Sequence, residues 1–206
     1  MIMPGKYAQC SFCSNPAEYA CVKCGQLACA QDIHIRPVCI DCDSGKQLEF
    51  QIHQAFCENT ESLEELVTLF WGDPVQLMFD QQFMVTEYPA IIAECDNKIV
   101  GFLFYAPFRE DGVLIMAVGV LPQYQSCGIG RALITQVEKF AKEQNQQQLF
   151  VVTTNDNLPA LAFYQQLGFQ LFEVVPNVVS QKLGGLHPGF ANIPIRDELR
   201  LRKNVS

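Results

Sequence analysis

Three runs of this sequence hold residue types at spacings that can do chemistry. In Gln125-Ser-Cys-Gly-Ile-Gly130, two glycines stand between an apolar run, Val113 to Leu121, and an amphipathic one, Arg131 to Phe140. Glycine lets the backbone turn tightly and approach a ligand, and the N–H groups that open a helix have no intrahelical acceptors. Such a loop cradles an anion, and a pyrophosphate fits it. The spacing Gln-x-x-Gly-x-Gly is neither a Rossmann Gly-x-Gly-x-x-Gly nor a P-loop, because no Lys-Ser/Thr follows the second glycine. The second run is Asn157-Leu-Pro-Ala-Leu-Ala-Phe-Tyr-Gln-Gln-Leu-Gly-Phe169. Asn157 and Tyr164 lie seven positions apart, close to two helical turns, which predicts that they share a face. Gly168 is expected to end that helix in a left-handed cap and release Phe169 into a strand.

The third run is Cys10-x2-Cys13-x7-Cys21-x2-Cys24-x4-Cys29-x4-His34-x4-Cys39-x2-Cys42. Eight soft ligands are the complement of two tetrahedral zinc ions, and each Cys-x-x-Cys can place two thiolates on one ion. A full ligand set leaves no position for water, so the expected role is structural. The segment is too short for a core of its own, and metal would supply most of its folding free energy. A disulfide framework, a redox-active Cys-x-x-Cys and a single zinc with free thiols are the other readings of the same cysteines. Lys23 and Arg36 are the only Lys or Arg residues between Cys10 and Cys42, too few for a face that tracks phosphates, so nucleic acid is not an expected partner.

The elements that must position these groups are legible in the spacing of apolar residues. Asp43-Ser-Gly-Lys46 is a polar link between a metal-binding segment, residues 1–45, and a larger domain, residues 46–206. Phe50 to Phe56 reads as a strand, and Glu58 to Trp71 contains a helix with Leu63, Leu66, Val67 and Phe70 on one side, broken at Pro74. Ile91 to Cys95 and Ile99 to Tyr105 are strands joined by Asp96-Asn-Lys98, and Val113 to Val120 is the next. After the cradle helix come the strand Gln148 to Thr154, the helix Asn157 to Leu167 and the strand Phe169 to Val175. Leu199 to Lys203 adds a last strand beyond a Gly/Pro-rich excursion. The class is α/β with a mixed sheet.

The run Val118-Gly-Val-Leu-Pro-Gln-Tyr-Gln-Ser-Cys-Gly-Ile-Gly-Arg-Ala-Leu133 resembles the acetyl-CoA signature of the GNAT superfamily of N-acetyltransferases. Asn157 to Phe169 is similar to that superfamily's second hallmark, and the resemblance covers roughly residues 48 to 203. It implies a twisted mixed sheet with a splayed V for acetyl-CoA, the cosubstrate. It further implies that the backbones of Val118 and Val120 pair with the pantetheine arm. Gln125, Ser126, Cys127, Gly128, Ile129, Gly130 and Arg131 would surround the pyrophosphate, with Arg131 its charge partner. Asn157 would bind or orient the cofactor. Tyr164 would be the acid for the departing thiolate, since a phenol of ordinary pKa about 10 stays protonated and still donates. The metal segment resembles the cross-braced fingers of B-box and treble-clef type. That resemblance implies one ion on Cys10, Cys13, Cys29 and His34 and another on Cys21, Cys24, Cys39 and Cys42. Sequential sharing, and Asp32 in place of His34, remain alternatives.

No general base is legible, because Ile115, Met116, Ala117 and Val118 carry no titrating group; a carboxylate such as Glu94 would have to act through water. The formal net charge of -8, from 22 acidic and 14 basic residues, opposes broad attraction to nucleic acid or anionic membranes. It suits a cationic or amine substrate and equally serves solubility. No apolar run approaches the roughly 18 residues that span a bilayer, and Met1 to Gln9 lacks the apolar core of a secretory signal, so a cytoplasmic protein is expected. The expected function is acetyl transfer from acetyl-CoA to an amine of a small molecule or protein, with a zinc finger that binds a protein partner or shapes access. An acyl-CoA sensor acting through the finger is the alternative. Acceptor choice is expected to rest on Glu58 to Tyr88 and on the His187 to Pro194 loop. Oligomeric state is not written in the residues.

Overall fold

The computed structural model describes residues 9–15, 19–20, 27–28, 49–55 and 59–205. The chain divides into two compact units, Met1–Leu48 and Glu49–Ser206. In the first, Tyr19–Ala20 pairs antiparallel with Leu27–Ala28. The Cys10 amide donates to the Asn15 carbonyl at 2.9 Å, and the Phe12 amide donates to Cys10 Sγ at 3.4 Å. Of the eight expected metal ligands only Cys10 and Cys13 fall within the described residues; Cys21, Cys24, Cys29, His34, Cys39 and Cys42, with the alternative Asp32, lie outside them. Among the described residues no group of three or more His, Cys, Asp or Glu could hold a metal.

The second unit is built on a seven-stranded mixed sheet. Its strands are β1 (Gln51–Gln54), β2 (Ala90–Cys95), β3 (Lys98–Phe108), β4 (Gly112–Val120), β5 (Gln148–Thr154), β6 (Gln170–Val175) and β7 (Glu198–Asn204). Their spatial order is β6-β7-β5-β4-β3-β2-β1. Every pair is antiparallel except β4 and β5, which run parallel and are joined through helix α2 (Ile129–Glu143). A crossover is obligatory there, because parallel strands cannot be joined by a hairpin. Helix α1 (Thr60–Trp71) follows β1, α3 (Leu158–Gln166) follows β5, and the short α4 (Val178–Lys182) follows β6.

The two long helices cover opposite faces of the sheet. A side chain on Gly101 would meet Ile129 and Leu133 of α2, whereas one on Gly119, paired with Phe102 next along β3, would meet Phe102 and Phe70 of α1. Successive strand residues alternate faces, so α1 and α2 lie on opposite sides. Helix α2 buries Ile129, Leu133, Ile134, Val137 and Ala141, a stripe at helical spacing. On the α1 side Leu63 and Val67 pack with Phe102, Phe104, Leu114 and Phe150. Each fully buried leucine or phenylalanine contributes about 2 kcal/mol.

Several boundaries differ from the sequence expectations. Helix α1 stops at Gly72, which is left-handed at φ 76°, two residues before Pro74. The β2–β3 turn is the two-residue Asp96-Asn97, both left-handed, and β3 extends to Phe108. A hairpin, Val75–Met78 with Gln81–Met84, has no counterpart in the sequence reading. Its turn residues Phe79 and Asp80 take φ 49° and 62° without glycine or asparagine, so composition gave no signal. Helix α4 was also unforeseen. No helix among the described residues is long and apolar enough to cross a membrane.

Candidate active site

The opening in the sheet begins at a bulge. Phe104 of β3 pairs with Ala117 while Tyr105 pairs with Ile115, which leaves Met116 without an opposite residue. A bulge bends its strand. Pairing of β4 with β5 stops at the same level, at Ile115 opposite Val151. Beyond it β4 runs on through Val118 and Val120 paired to β3 alone, while β5 runs on to Thr154 paired to β7. The β5-facing edge of Met116 to Val120 therefore carries backbone groups that an extended ligand can pair with as a strand would.

That edge leads directly into the glycine loop. Ser126 and Gly128 take left-handed φ of 68° and 84°, and Gly128 is the N-cap of α2. The first rung of the helix is the Ala132 amide to the Gly128 carbonyl at 3.0 Å. The amides of Gly128, Ile129, Gly130 and Arg131 precede that rung and open outward. No acidic residue occupies the first turn, and an exposed Arg131 does. A cation at an exposed helix N-terminus opposes the macrodipole at a cost of about 0.3–1 kcal/mol, which an anion bound beside it would offset. The half-buried Gln125 turns back, its Nε2 donating to the Val120 carbonyl at 2.9 Å. Cys127 donates to the Gln125 carbonyl at 3.8 Å.

Helix α3 supplies the candidate acid. Tyr164 is 5% exposed, its ring against Phe163 and Phe169 with centroids 5.4 and 5.6 Å away. Burial pushes the phenol pKa above its ordinary value. No described residue bonds its hydroxyl, and among the described residues no buried side-chain oxygen or nitrogen lacks a partner. The hydroxyl therefore opens onto accessible space. Asn157 departs from expectation: it stands just outside the helix as its N-cap, with Oδ1 accepting the Ala160 amide at 3.2 Å. The helix ends as foreseen, with Gly168 left-handed at φ 88°. Glu94 lies on β2, with β3 between it and β4, and its carboxylate is bonded to His53 Nε2 at 2.9 Å. It is therefore not directed to the fork.

Sequence reasoning missed the residues that fasten the 187–197 segment beside the end of β5. Asn155 accepts the Arg196 and Asp197 amides at 2.8 Å each and donates to the Pro194 carbonyl at 2.9 Å. Asp156, 7% exposed, accepts from Thr154 Oγ1 and from the Phe190 amide at 3.1 Å. The signal was the run Asn155-Asp156-Asn157, three side chains apt to bond nearby backbone. His187, exposed, bonds the Leu183 carbonyl at 3.1 Å.

The profile of the Acetyltransferase (GNAT) family matches residues 52–169. The chain belongs to the GNAT family of acetyltransferases. As a member it is an N-acetyltransferase. An uncharacterized protein of Bacillus subtilis strain 168, YxbD, is 35% identical over 151 residues, covering 69% of this chain and 93% of that protein. An N-alpha-acetyltransferase of Sulfurisphaera tokodaii is 29% identical over 147 residues, 65% of this chain and 87% of that one. Among solved structures, a GNAT acetyltransferase from Elizabethkingia anophelis with acetyl-CoA bound superposes with a TM-score of 0.58 at 20% identity, covering 75% of this chain and 97% of the other. The last likeness speaks to the fold. The family match begins after the first compact unit, so the GNAT assignment rests on the second.

Proposed function

We propose that this GNAT domain moves an acetyl group from acetyl-CoA to an amine, with the cosubstrate lying in the fork between β4 and β5. The observation that carries the reading is the continuity of the β4 edge at Val118 and Val120 with the outward amides of Gly128 to Arg131. A pantetheine arm pairs with the first and a diphosphate suits the second. Gln125 and Cys127 shape the loop, Ser126 and Ile129 belong to its turn and first helical residue, and Asn157 caps the start of α3.

Chemically, bound acetyl-CoA supplies an activated acyl carbon. As the amine nitrogen forms the C–N bond and the C–S bond breaks, Tyr164 gives its proton to the departing sulfur. Burial keeps the phenol protonated at neutral pH. Alignment of the two reactants lowers the barrier by several kcal/mol in its own right, on the order of 7 or more. The amine enters in its neutral form and loses its proton to water, since Glu94, the carboxylate considered for the task, is bonded to His53 on the far side of β3.

The acceptor is an amine carrying further positive charge. Ten of the 22 acidic residues, and no Lys or Arg, lie between Lys46 and Lys98, the stretch that supplies β1, α1, the hairpin and β2. Such a one-signed field attracts cations and raises their encounter rate. The deciding experiment is calorimetric titration with acetyl-CoA of wild type and of Arg131→Glu. Glutamate in the first turn suits the helix dipole, so loss of binding there reads on the ligand and not on the fold. Saturable binding lost in the variant is expected; equal binding by both proteins removes the diphosphate from this loop.

Residues 1–45 are read as a two-zinc structural finger on Cys10, Cys13, Cys21, Cys24, Cys29, His34, Cys39 and Cys42, preceding a catalytic domain of residues 46–206. The Phe12 amide donating to Cys10 Sγ suits a sulfur that carries negative charge. Metal analysis tests this directly: two zinc ions per chain are expected, and a metal-free, folded protein overturns it. A protein partner of the finger, or a protein substrate, accords with the same reading, as does a cytoplasmic location.

A further inference from the structure

The first turn of α2 is wedged between two packing contacts that involve consecutive residues. Ile129 is 1% exposed and drives into the sheet, so closely that a Cβ on Gly101 would lie 2.8 Å from its Cγ2. Gly130, next along, faces α3. A Cβ there would lie 3.1 and 3.3 Å from Cζ and Cε2 of Phe163, so the ring meets the helix backbone tip-on. Phe163 stands directly before Tyr164 on α3, their ring centroids 5.4 Å apart. One aromatic side chain thus props the anion-binding turn from the helix that carries the candidate acid.

We propose that Phe163 is a positioning residue that sets where the α2 amides meet the diphosphate of the cosubstrate. The inference rests on the acetyl-CoA reading above. The turn has no bulky side chain of its own on that side, because Gly130 has none, so its lateral position depends on the ring. Oriented backbone donors act on an anion only when held in place beforehand, and a displacement of a few tenths of an ångström costs binding. The same contact explains a glycine at position 130, where the backbone is helical and a glycine would otherwise be unfavourable.

The test compares wild type, Phe163→Ala, Gly130→Ala and the double variant Gly130→Ala/Phe163→Leu. Each is titrated with acetyl-CoA by calorimetry and with S-acetylpantetheine, which lacks the diphosphate, by NMR shift. Thermal unfolding is recorded alongside. Both single variants are expected to bind acetyl-CoA at least fivefold more weakly while S-acetylpantetheine affinity stays within twofold. The double variant recovers most of the loss, because leucine vacates the volume that the new methyl enters. Equal weakening of both ligands, or no recovery in a folded double variant, reduces Phe163 to a structural contact and overturns the proposal. If wild type binds neither ligand, the acetyl-CoA reading itself fails, and the positioning role falls with it.

Discussion

Gln125 Nε2 donates to the Val120 carbonyl at 2.9 Å, so the loop that opens α2 is tied by its first side chain to the last residue of β4. The start of the glycine loop is thereby anchored to the end of the strand edge. Gln125→Leu keeps the bulk and removes the donor. Acetyl-CoA binding is expected to weaken about fivefold, the equivalent of one hydrogen bond of about 1 kcal/mol, with little change in melting temperature. Calorimetry and a thermal melt on the same sample read both.

Tyr164→Phe is expected to lower turnover tenfold or more in a thiol-release assay while acetyl-CoA affinity is unchanged. Undiminished turnover removes Tyr164 from the chemistry. The raised phenol pKa also has a stability consequence. Between the unfolded value, about 10, and the higher folded one, the native state binds the extra proton, so wild type loses stability as pH rises through that interval. In urea melts from pH 9 upward, Tyr164→Phe should decline less steeply than wild type.

Asp197 works in the opposite direction. It is 6% exposed, bonds the Arg196 guanidinium at 2.9 Å and accepts the Asn177 amide at 2.8 Å, and the first of these holds its carboxyl below the usual range. The stability it adds is present above the unfolded value, about 4, and is lost as pH falls through the lower folded one. Asp197→Ala leaves the Asn177 amide without its acceptor and is expected to cost about 1–3 kcal/mol at pH 7. Acid titration of the urea midpoint should then be flatter for the variant than for wild type.

Gly189→Ala would place a methyl carbon 2.1 Å from Asp156 Oδ2, inside a carboxylate that already accepts the Phe190 amide. Either the segment in which His187–Pro188 pairs antiparallel with Pro194–Ile195 lifts, or Asp156 releases it. The expected result is a severalfold higher KM for the amine acceptor with the acetyl-CoA dissociation constant unchanged. A change confined to acetyl-CoA would place this segment on the cofactor side instead.

Raising ionic strength from about 0.05 to 0.5 M shortens the Debye length from roughly 14 to 4 Å. With a polyamine acceptor KM should rise severalfold over that range, and with a monoamine it should change little. A KM indifferent to salt for both would separate the acidic 47–97 stretch from acceptor choice.

Much of the second unit was legible because its determinants are local. The strand Gln148–Thr154 follows from its apolar run, the stripe on α2 from helical spacing, and the end of α3 from Gly168, where the left-handed φ of 88° favours glycine. The hairpin at Phe79-Asp80 was not legible, since its left-handed turn is imposed on residues that rarely choose it. Asp80 is held there by Arg200 of β7 at 2.8 Å, a partner 120 positions away.

By itself the sequence determined the order of the seven sheet strands and of the three longer helices, and the glycine loop with Arg131 at its end, because turn chemistry and periodicity act over a few residues. Only the tertiary structure decided where the sheet parts. The bulge at Met116 depends on the register of β3 against β4, and the fork depends on β5 leaving β4 for β7. It also decided that Glu94 is taken by His53 and that Phe163 stands against Gly130. Each of these is a contact between segments far apart in the chain, and such contacts are set by packing.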